Sequence, residues 1–264
     1  MTAVDFTRFV HDLADASGDA IRPFFRTSLG VEDKSHGAGF DPVTAADRAA
    51  EAAMRALIRR TFPTHGVIGE EFDDERTDAE YVWVLDPIDG TKSFISGMPA
   101  WGTLIALLRA GEPVYGLMHQ PFIRERFFGD GRTARYRGPA GERMLGVRAC
   151  GRIEEAVLFT TSPLLMNEAD RAAFGAVERR ARLSRYGGDC YAYCMVAAGH
   201  VDLVIETGLK PHDVAALVPI IRGAGGIMTT WEGERAEHGG RIIAAGDRRV
   251  HEAAMRLLRG DPSV

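Results

Sequence analysis

The sequence Trp83-Val-Leu-Asp86-Pro87-Ile88-Asp89-Gly90-Thr91-Lys92-Ser93-Phe94 ends a hydrophobic run in two carboxylates. Tyr81 to Leu85 is rich in aromatic and β-branched residues, the composition of a buried strand. It stops abruptly in an acid, a proline, a second acid, a glycine and a hydroxyl. Pro87 fixes φ and Gly90 frees it, so a turn here is stiff where Asp86 and Asp89 must converge. Converging carboxylates suit a hard divalent cation; Mg²⁺ is usually held by few carboxylates, water and substrate phosphate. Taken alone, the stretch is explained equally well as a strand followed by a type I turn, since Asp, Pro and Gly all favour turns.

The flanking sequence repeats the theme. Gly66-Val-Ile-Gly69 is a short strand that ends in Glu70-Glu71, again acids delivered by an apolar segment. Asp73, Asp74 and Glu75 follow and read as a solvated acidic loop. Residues 3–27 carry Phe6, Phe9, Val10, Leu13, Ile21 and Phe24 at helical spacing. Residues 30–41, with Lys34 and His36, are glycine-rich and polar and read as a mobile loop. A second helix opens at Pro42-Val-Thr44, with Thr44 and Asp47 spaced as a capping box. Downstream, 101–109, 113–120 and 124–130 form an antiparallel meander, and 131–156 reads as irregular. Then come a strand from Ala156 to Thr160, a charged helix over 167–182 and, after Gly187-Gly188-Asp189, an apolar helix from Cys190 to Gly199. Val201 to Glu206 is a strand. Pro211-His212-Asp213 opens a helix to Gly223 that Pro219 should kink. Strands at 226–231 and 241–245 precede a last helix, N-capped by Asp247.

Composition narrows the possibilities. The 264 residues are 45% hydrophobic and 26% charged, which is ordinary for a soluble globular chain with a large core. A net charge of −5 disfavours a nucleic-acid partner. Three cysteines without a CxxC pair disfavour a disulfide framework or zinc site, and Cys190 and Cys194 read as small buried hydrophobes on one helix face. No signal peptide or apolar run of membrane-spanning length is evident, so a cytoplasmic location and no membrane partner are expected. Without repeats or a linker, the chain reads as one unit over 1–264, with an α+β half to about 150 and an α/β half beyond it.

Glu70, Asp86, Asp89 and Asp213 thus lie at strand ends or a helix start, where open α/β architectures gather ligands. Asp213 reads equally as an acid favoured by the helix dipole. Gly69-Glu70-Glu71, Trp83-x-x-Asp86-Pro-Ile-Asp89-Gly90-Thr91 and Pro211-His212-Asp213-x-Ala215-Ala216 resemble, in order and spacing, the signatures of the inositol monophosphatase superfamily. The resemblance spans about residues 5–258 and implies a layered α/β/α/β/α sandwich, often a homodimer. It implies two or three Mg²⁺ ions on Glu70, Asp86, Asp89, Asp213 and the Ile88 carbonyl, acting on a small phosphate monoester. Thr91, with Asp47 behind it and Glu70 beside it, would serve the attacking water. Backbone N–H groups at Gly90 and Thr91, with Lys34 from the loop, would receive phosphate.

Tyr186-Gly-Gly-Asp189-Cys-Tyr-Ala-Tyr193 and Val201-Asp-Leu-Val-Ile-Glu206 resemble the histidinol-phosphate phosphatases of that superfamily. Histidinol phosphate carries an ammonium and an imidazole, whereas inositol phosphate carries only hydroxyls. Carboxylates at Asp189 and Glu206 would pair with the cationic substrate. As plainer readings, Asp189 is a helix N-cap and Glu206 a surface acid. His212 stands where the wider family is often aromatic, and reads as core or as a neighbour of the ligands, because hard Mg²⁺ prefers oxygen. The expected reaction is hydrolysis of L-histidinol phosphate. The alternatives are an inositol-1-phosphatase, a broader sugar- or nucleotide-phosphate phosphatase, and a non-catalytic regulatory protein on the same fold.

Overall fold

A computed structural model describes residues 6–27, 31–33 and 42–261. Lys34 and His36 lie outside the described residues. In chain order the elements are α1 (Phe6–Ile21), β1 (Val31–Asp33), β2 (Pro42–Thr44), α2 (Ala45–Thr61), β3 (Gly66–Gly69), β4 (Tyr81–Asp89), α3 (Thr91–Ile95), β5 (Gly102–Arg109), β6 (Glu112–Gln120), β7 (Glu125–Gly129), β8 (Ala134–Gly138) and β9 (Gly141–Met144). There follow β10 (Val157–Thr160), α4 (Glu168–Glu178), β11 (Leu183–Tyr186), α5 (Asp189–Ala197), β12 (Leu203–Leu209), α6 (Pro211–Val214), α7 (Leu217–Gly223), β13 (Ile227–Thr230), β14 (Gly240–Ala245) and α8 (Arg248–Leu258).

Two large sheets organise these elements, and β1 and β2, expected as loop and helix start, form a separate antiparallel pair. The larger runs β3-β4-β5-β6-β7-β8-β9; β3 and β4 are parallel and the rest antiparallel. The smaller runs β11-β10-β12-β14-β13 and is mixed. Side-chain alternation assigns the layers. On β4, Trp83 and Leu85 face a cluster with Phe9, Leu13 and Met54 of α1 and α2, while Val84 faces the opposite cluster. On β14, Ile243 and Ala245 face Phe174 and Val250 of α4 and α8, while Ile242 and Ala244 face inward. The inner cluster holds α5 and α7 between the sheets, through Cys194, Val196, Val218 and Ile221. The result is the expected α/β/α/β/α sandwich. Each central strand is buried on both faces, which is why it reads as a continuous apolar run.

Several expectations change. β4 does not stop at Leu85 but runs on through Pro87 to Asp89. Residues 131–156 are not irregular: β8 and β9 extend the meander. Their side chains are mostly arginine, glutamate and tyrosine at an exposed edge, so hydrophobic periodicity is missing where the backbone still pairs. The helix over 167–182 ends at Glu178, and β11, also poor in apolar residues, begins five residues later. Beyond Pro211 the chain forms two short helices. Pro219 has no N–H for the Ala215 carbonyl, so it sits in the first turn of α7, where no such bond is needed. The Thr44–Asp47 capping box and the Asp247 N-cap form as expected. The three cysteines are free and buried.

Candidate metal centre

The carboxylates converge through strand register. β3 and β4 pair in parallel with Gly69 opposite Leu85, so Glu70 leaves β3 beside Asp86. Asp86 and Asp89 need a second device. Residues three apart on a regular strand face opposite sides. Here Asp86 pairs with Leu104 and Asp89 with Gly102, so β4 carries one extra residue against β5. This bulge re-aims the later side chain and brings both acids to one side. It also accommodates Pro87, which cannot donate to a ladder. Thr103 Oγ1 donates to the Pro87 carbonyl at 2.8 Å and lies 2.8 Å from Ser17 Oγ, pinning the bulge from β5 and α1.

Gly90 follows with φ +85°; an added Cβ would stand 3.0 Å from Ala100 O and 3.1 Å from Asp189 Cβ. Only glycine fits there. Thr91 Oγ1 donates to the Ile88 carbonyl at 3.1 Å. Asp213 comes from the first turn of α6, where its Oδ2 accepts from the Lys210 N–H at 2.6 Å. Asp47 Oδ2 accepts from Thr44 N–H at 2.9 Å and Thr44 Oγ1 at 2.6 Å.

Asp86, Asp89 and Asp213 offer ligand atoms within 4.8 Å of one another, as do Glu70, Asp86 and His212. Asp86 belongs to both groups, so one carboxylate joins two adjacent ligand sets. It is 1% exposed, and its Oδ1 has no hydrogen-bond partner. Burial raises the carboxyls of Asp86 and Asp89 well above their usual range, and their acidic neighbours raise them further. Burial does the same, less strongly, for Asp47 and Asp213. A buried carboxylate oxygen without a donor, among mutually repelling acids, is costly unless a cation sits there. Hard oxygen donors of this kind fit Mg²⁺.

A cavity opens beside the acids, lined by Asp89, Thr161, Leu165, Asp189, Tyr193 and Glu206 among others. Asp189 is not an N-cap: Gly188 holds that position and Asp189 begins α5 with φ +43°. Its Oδ2 accepts from Ser93 Oγ at 2.8 Å. Asp89 Oδ2 accepts from the Cys190 N–H at 2.6 Å, so α5 is tied directly to the acid cluster. Glu206 is no surface acid. It is 5% exposed; Oε1 accepts from Thr161 N–H at 2.7 Å and Thr161 Oγ1 at 2.5 Å, and Oε2 from Tyr193 OH at 3.1 Å. Burial pushes its carboxyl up to about 7.

Sequence reasoning misses two supports. Thr161 joins the site from the end of β10, and the run of hydroxyls Thr160-Thr161-Ser162 at a strand end is the signal that marks it. The second is Glu51. Its carboxylate takes Arg55 Nε at 2.7 Å and the Glu71 N–H at 2.8 Å, bracing the segment that carries Glu70. Arg55 also reaches Glu75 and the carbonyls of Phe72 and Asp73, each at 3.0 Å. The acidic loop expected to be solvated is therefore anchored at Glu75.

Residues 3–262 match the family model described as the inositol monophosphatase family. The bifunctional phosphatase IMPL2, chloroplastic, of Arabidopsis thaliana is 45% identical, covering 93% of this chain and 72% of its own. A histidinol-phosphatase of Mycobacterium tuberculosis is 37% identical, covering 83% and 85%. A solved inositol monophosphatase of Zymomonas mobilis superposes with a TM-score of 0.85 at 43% identity, covering 96% of both chains.

Proposed function

The chain belongs to the inositol monophosphatase family, and from that premise we propose that it hydrolyses L-histidinol phosphate to L-histidinol and phosphate in a Mg²⁺-dependent reaction. Glu70, Asp86, Asp89, Asp213 and the Ile88 carbonyl would hold two or three ions. A bound divalent cation supplies Lewis acidity and lowers the pKa of water, so that hydroxide is available near neutral pH. The chain's own groups do the positioning. Thr91, steered by the Ile88 carbonyl, orients the attacking water, with Asp47 behind it and Glu70 at its side. Gly90 and Thr91 would present backbone N–H groups to the phosphate, and Lys34 would serve it as well. Glu206 holds Thr161 and Tyr193 and lines the cavity wall with its carboxyl group.

One observation carries the substrate reading: the Asp189 carboxylate lines the cavity beside Asp89, on a residue at φ +43°. A left-handed backbone on a non-glycine residue costs about 1–3 kcal/mol and clusters at functional positions. A cavity wall of buried acids favours an ammonium- or imidazolium-bearing alcohol over a polyol. The M. tuberculosis histidinol-phosphatase supports the same reading. The test is kcat/KM for L-histidinol phosphate against myo-inositol 1-phosphate. A ratio of about a hundredfold or more, equal to about 2.7 kcal/mol, is expected for one buried charge pair. Asp189→Ala should erase that ratio while leaving hydrolysis of neutral-alcohol phosphates largely intact. A wild-type ratio near one would instead support a broad-specificity phosphatase, a reading favoured by the relative called bifunctional.

A further inference from the structure

His212 occupies a place the carboxylate reading does not use. It is the second residue of α6, and a ring nitrogen lies within 4.8 Å of carboxylate oxygens of both Glu70 and Asp86. Its Nε2 is 3.6 Å from Asp213 Oδ1, beyond hydrogen-bond reach. The side chain is 11% exposed, so it is neither core nor free in solvent. The structure places His212 beside the ligand set rather than in the core, with its ring near the donor atoms. Two ligand sets share Asp86. One, with Asp89 and Asp213, is all oxygen; the other, with Glu70 and His212, mixes oxygen and nitrogen.

Ligand chemistry makes these sets unequal. Carboxylate oxygens suit Mg²⁺ and Mn²⁺ alike, whereas an imidazole nitrogen favours first-row transition ions, Mn²⁺ among them, and adds little for Mg²⁺. Asp86 belongs to both sets, and its buried Oδ1 has no hydrogen-bond partner, which calls for a cation independently of His212. We propose that His212 is a metal ligand of this chain, making the Glu70–Asp86–His212 position selective for a transition-metal ion such as Mn²⁺ over Mg²⁺. The inference rests on the metal-dependent reading of the site. The competing arrangement is an imidazolium that pairs with the surrounding acids and leaves the metal ligands purely oxygen.

Mn²⁺ alone is the probe. Electron spin-echo envelope modulation of the Mn²⁺-loaded full chain reads directly whether nitrogen is bound. The expected result is ¹⁴N coupling in the wild type that disappears in His212→Phe, a change that keeps a ring of similar volume. Equilibrium binding should show the ratio of Mn²⁺ to Mg²⁺ affinity falling by at least about tenfold in that variant, the lower end of what even a lost ligand-supporting contact costs. Mn²⁺ bound without ¹⁴N coupling in the wild type would overturn the assignment and leave the carboxylate centre standing; that measurement requires no variant. Coupling that persists in a folded His212→Phe protein would overturn it equally. Wild-type chain that binds no Mn²⁺ at all would overturn the metal centre and this inference with it.

Discussion

Asp86 concentrates the chemistry of the site in one side chain, because it is buried, unpartnered and common to both ligand sets. Asp86→Asn keeps the size but halves the ligand capacity and removes the charge. Catalysis should fall by about a thousandfold or more, the several kcal/mol that metal assistance supplies, with circular dichroism unchanged. Phosphate release at saturating Mg²⁺ checks this; activity within tenfold of wild type would rule out Asp86 as a ligand. The acids themselves are legible in the sequence, since each terminates an apolar segment or opens a helix. The support of Glu70 is not. Glu51 and Arg55 look like an ordinary i,i+4 helix pair, and only the tertiary fold shows them fully buried with Glu51 on the Glu71 amide. Gly69 shows how tight that brace is: an added Cβ would lie 2.0 Å from Glu51 Oε1. Gly69→Ala must displace either Glu51 or the chain carrying Glu70. It should cost about 1–3 kcal/mol as an overpacking change and lower metal affinity in the same variant. Urea denaturation and metal titration would separate the two effects.

The bulge in β4 is what turns a strand into half of a metal centre. The Asp-Pro-x-Asp-Gly spacing shows that the backbone is interrupted there but not how, and a turn and a bulge use the same residues. The structure decides for the bulge because β5 continues to pair on both sides of it. Thr103 holds its geometry through Pro87 O, and a hydrogen bond of this kind contributes about 1 kcal/mol net. Thr103→Val keeps the β-branched shape and should cost about 1–3 kcal/mol, because the buried Pro87 carbonyl and Ser17 hydroxyl both lose a partner. Its second consequence belongs to function: kcat should fall more steeply than KM changes, since the acids lose alignment while Asp189 keeps its hydrogen bond from Ser93. A variant that loses stability alone would show that the bulge is held without Thr103. The strands of the two large sheets that escape sequence reading, β8, β9 and β11, share one cause. Each lies at or near a sheet edge with mostly polar side chains, so no apolar alternation marks the backbone pairing.

Across the whole molecule, the layers bury two classes of titratable group that respond to acid in opposite directions. Histidines are one class. Burial first, then neighbouring arginines, lowers His119 to about 3 and His11 and His251 to about 4. Below pH 6.5 the unfolded chain therefore takes up protons at three positions where the folded chain does not. Stability from these groups is complete above pH 6.5 and falls as pH drops, by up to about 2 kcal/mol per histidine at pH 5. The site carboxylates are the other class. Asp86 and Asp89 are held above their usual range, so in metal-free protein their contribution is present at low pH and is lost as rising pH ionises them in place. A bound cation replaces the proton and cancels that loss. Melting temperature measured from pH 5 to pH 8 should thus fall toward pH 5 with Mg²⁺ present. In EDTA it should also be depressed toward pH 8, so the gain from Mg²⁺ grows with pH. His251→Gln should recover up to about 2 kcal/mol of the stability lost at pH 5 and leave the Mg²⁺ gain at pH 8 intact, because His251 lies on α8 and contacts Thr229, away from the acid cluster. A Mg²⁺ gain independent of pH would show that the buried acids do not exchange protons for metal, and would separate the stability of the fold from the chemistry of its site.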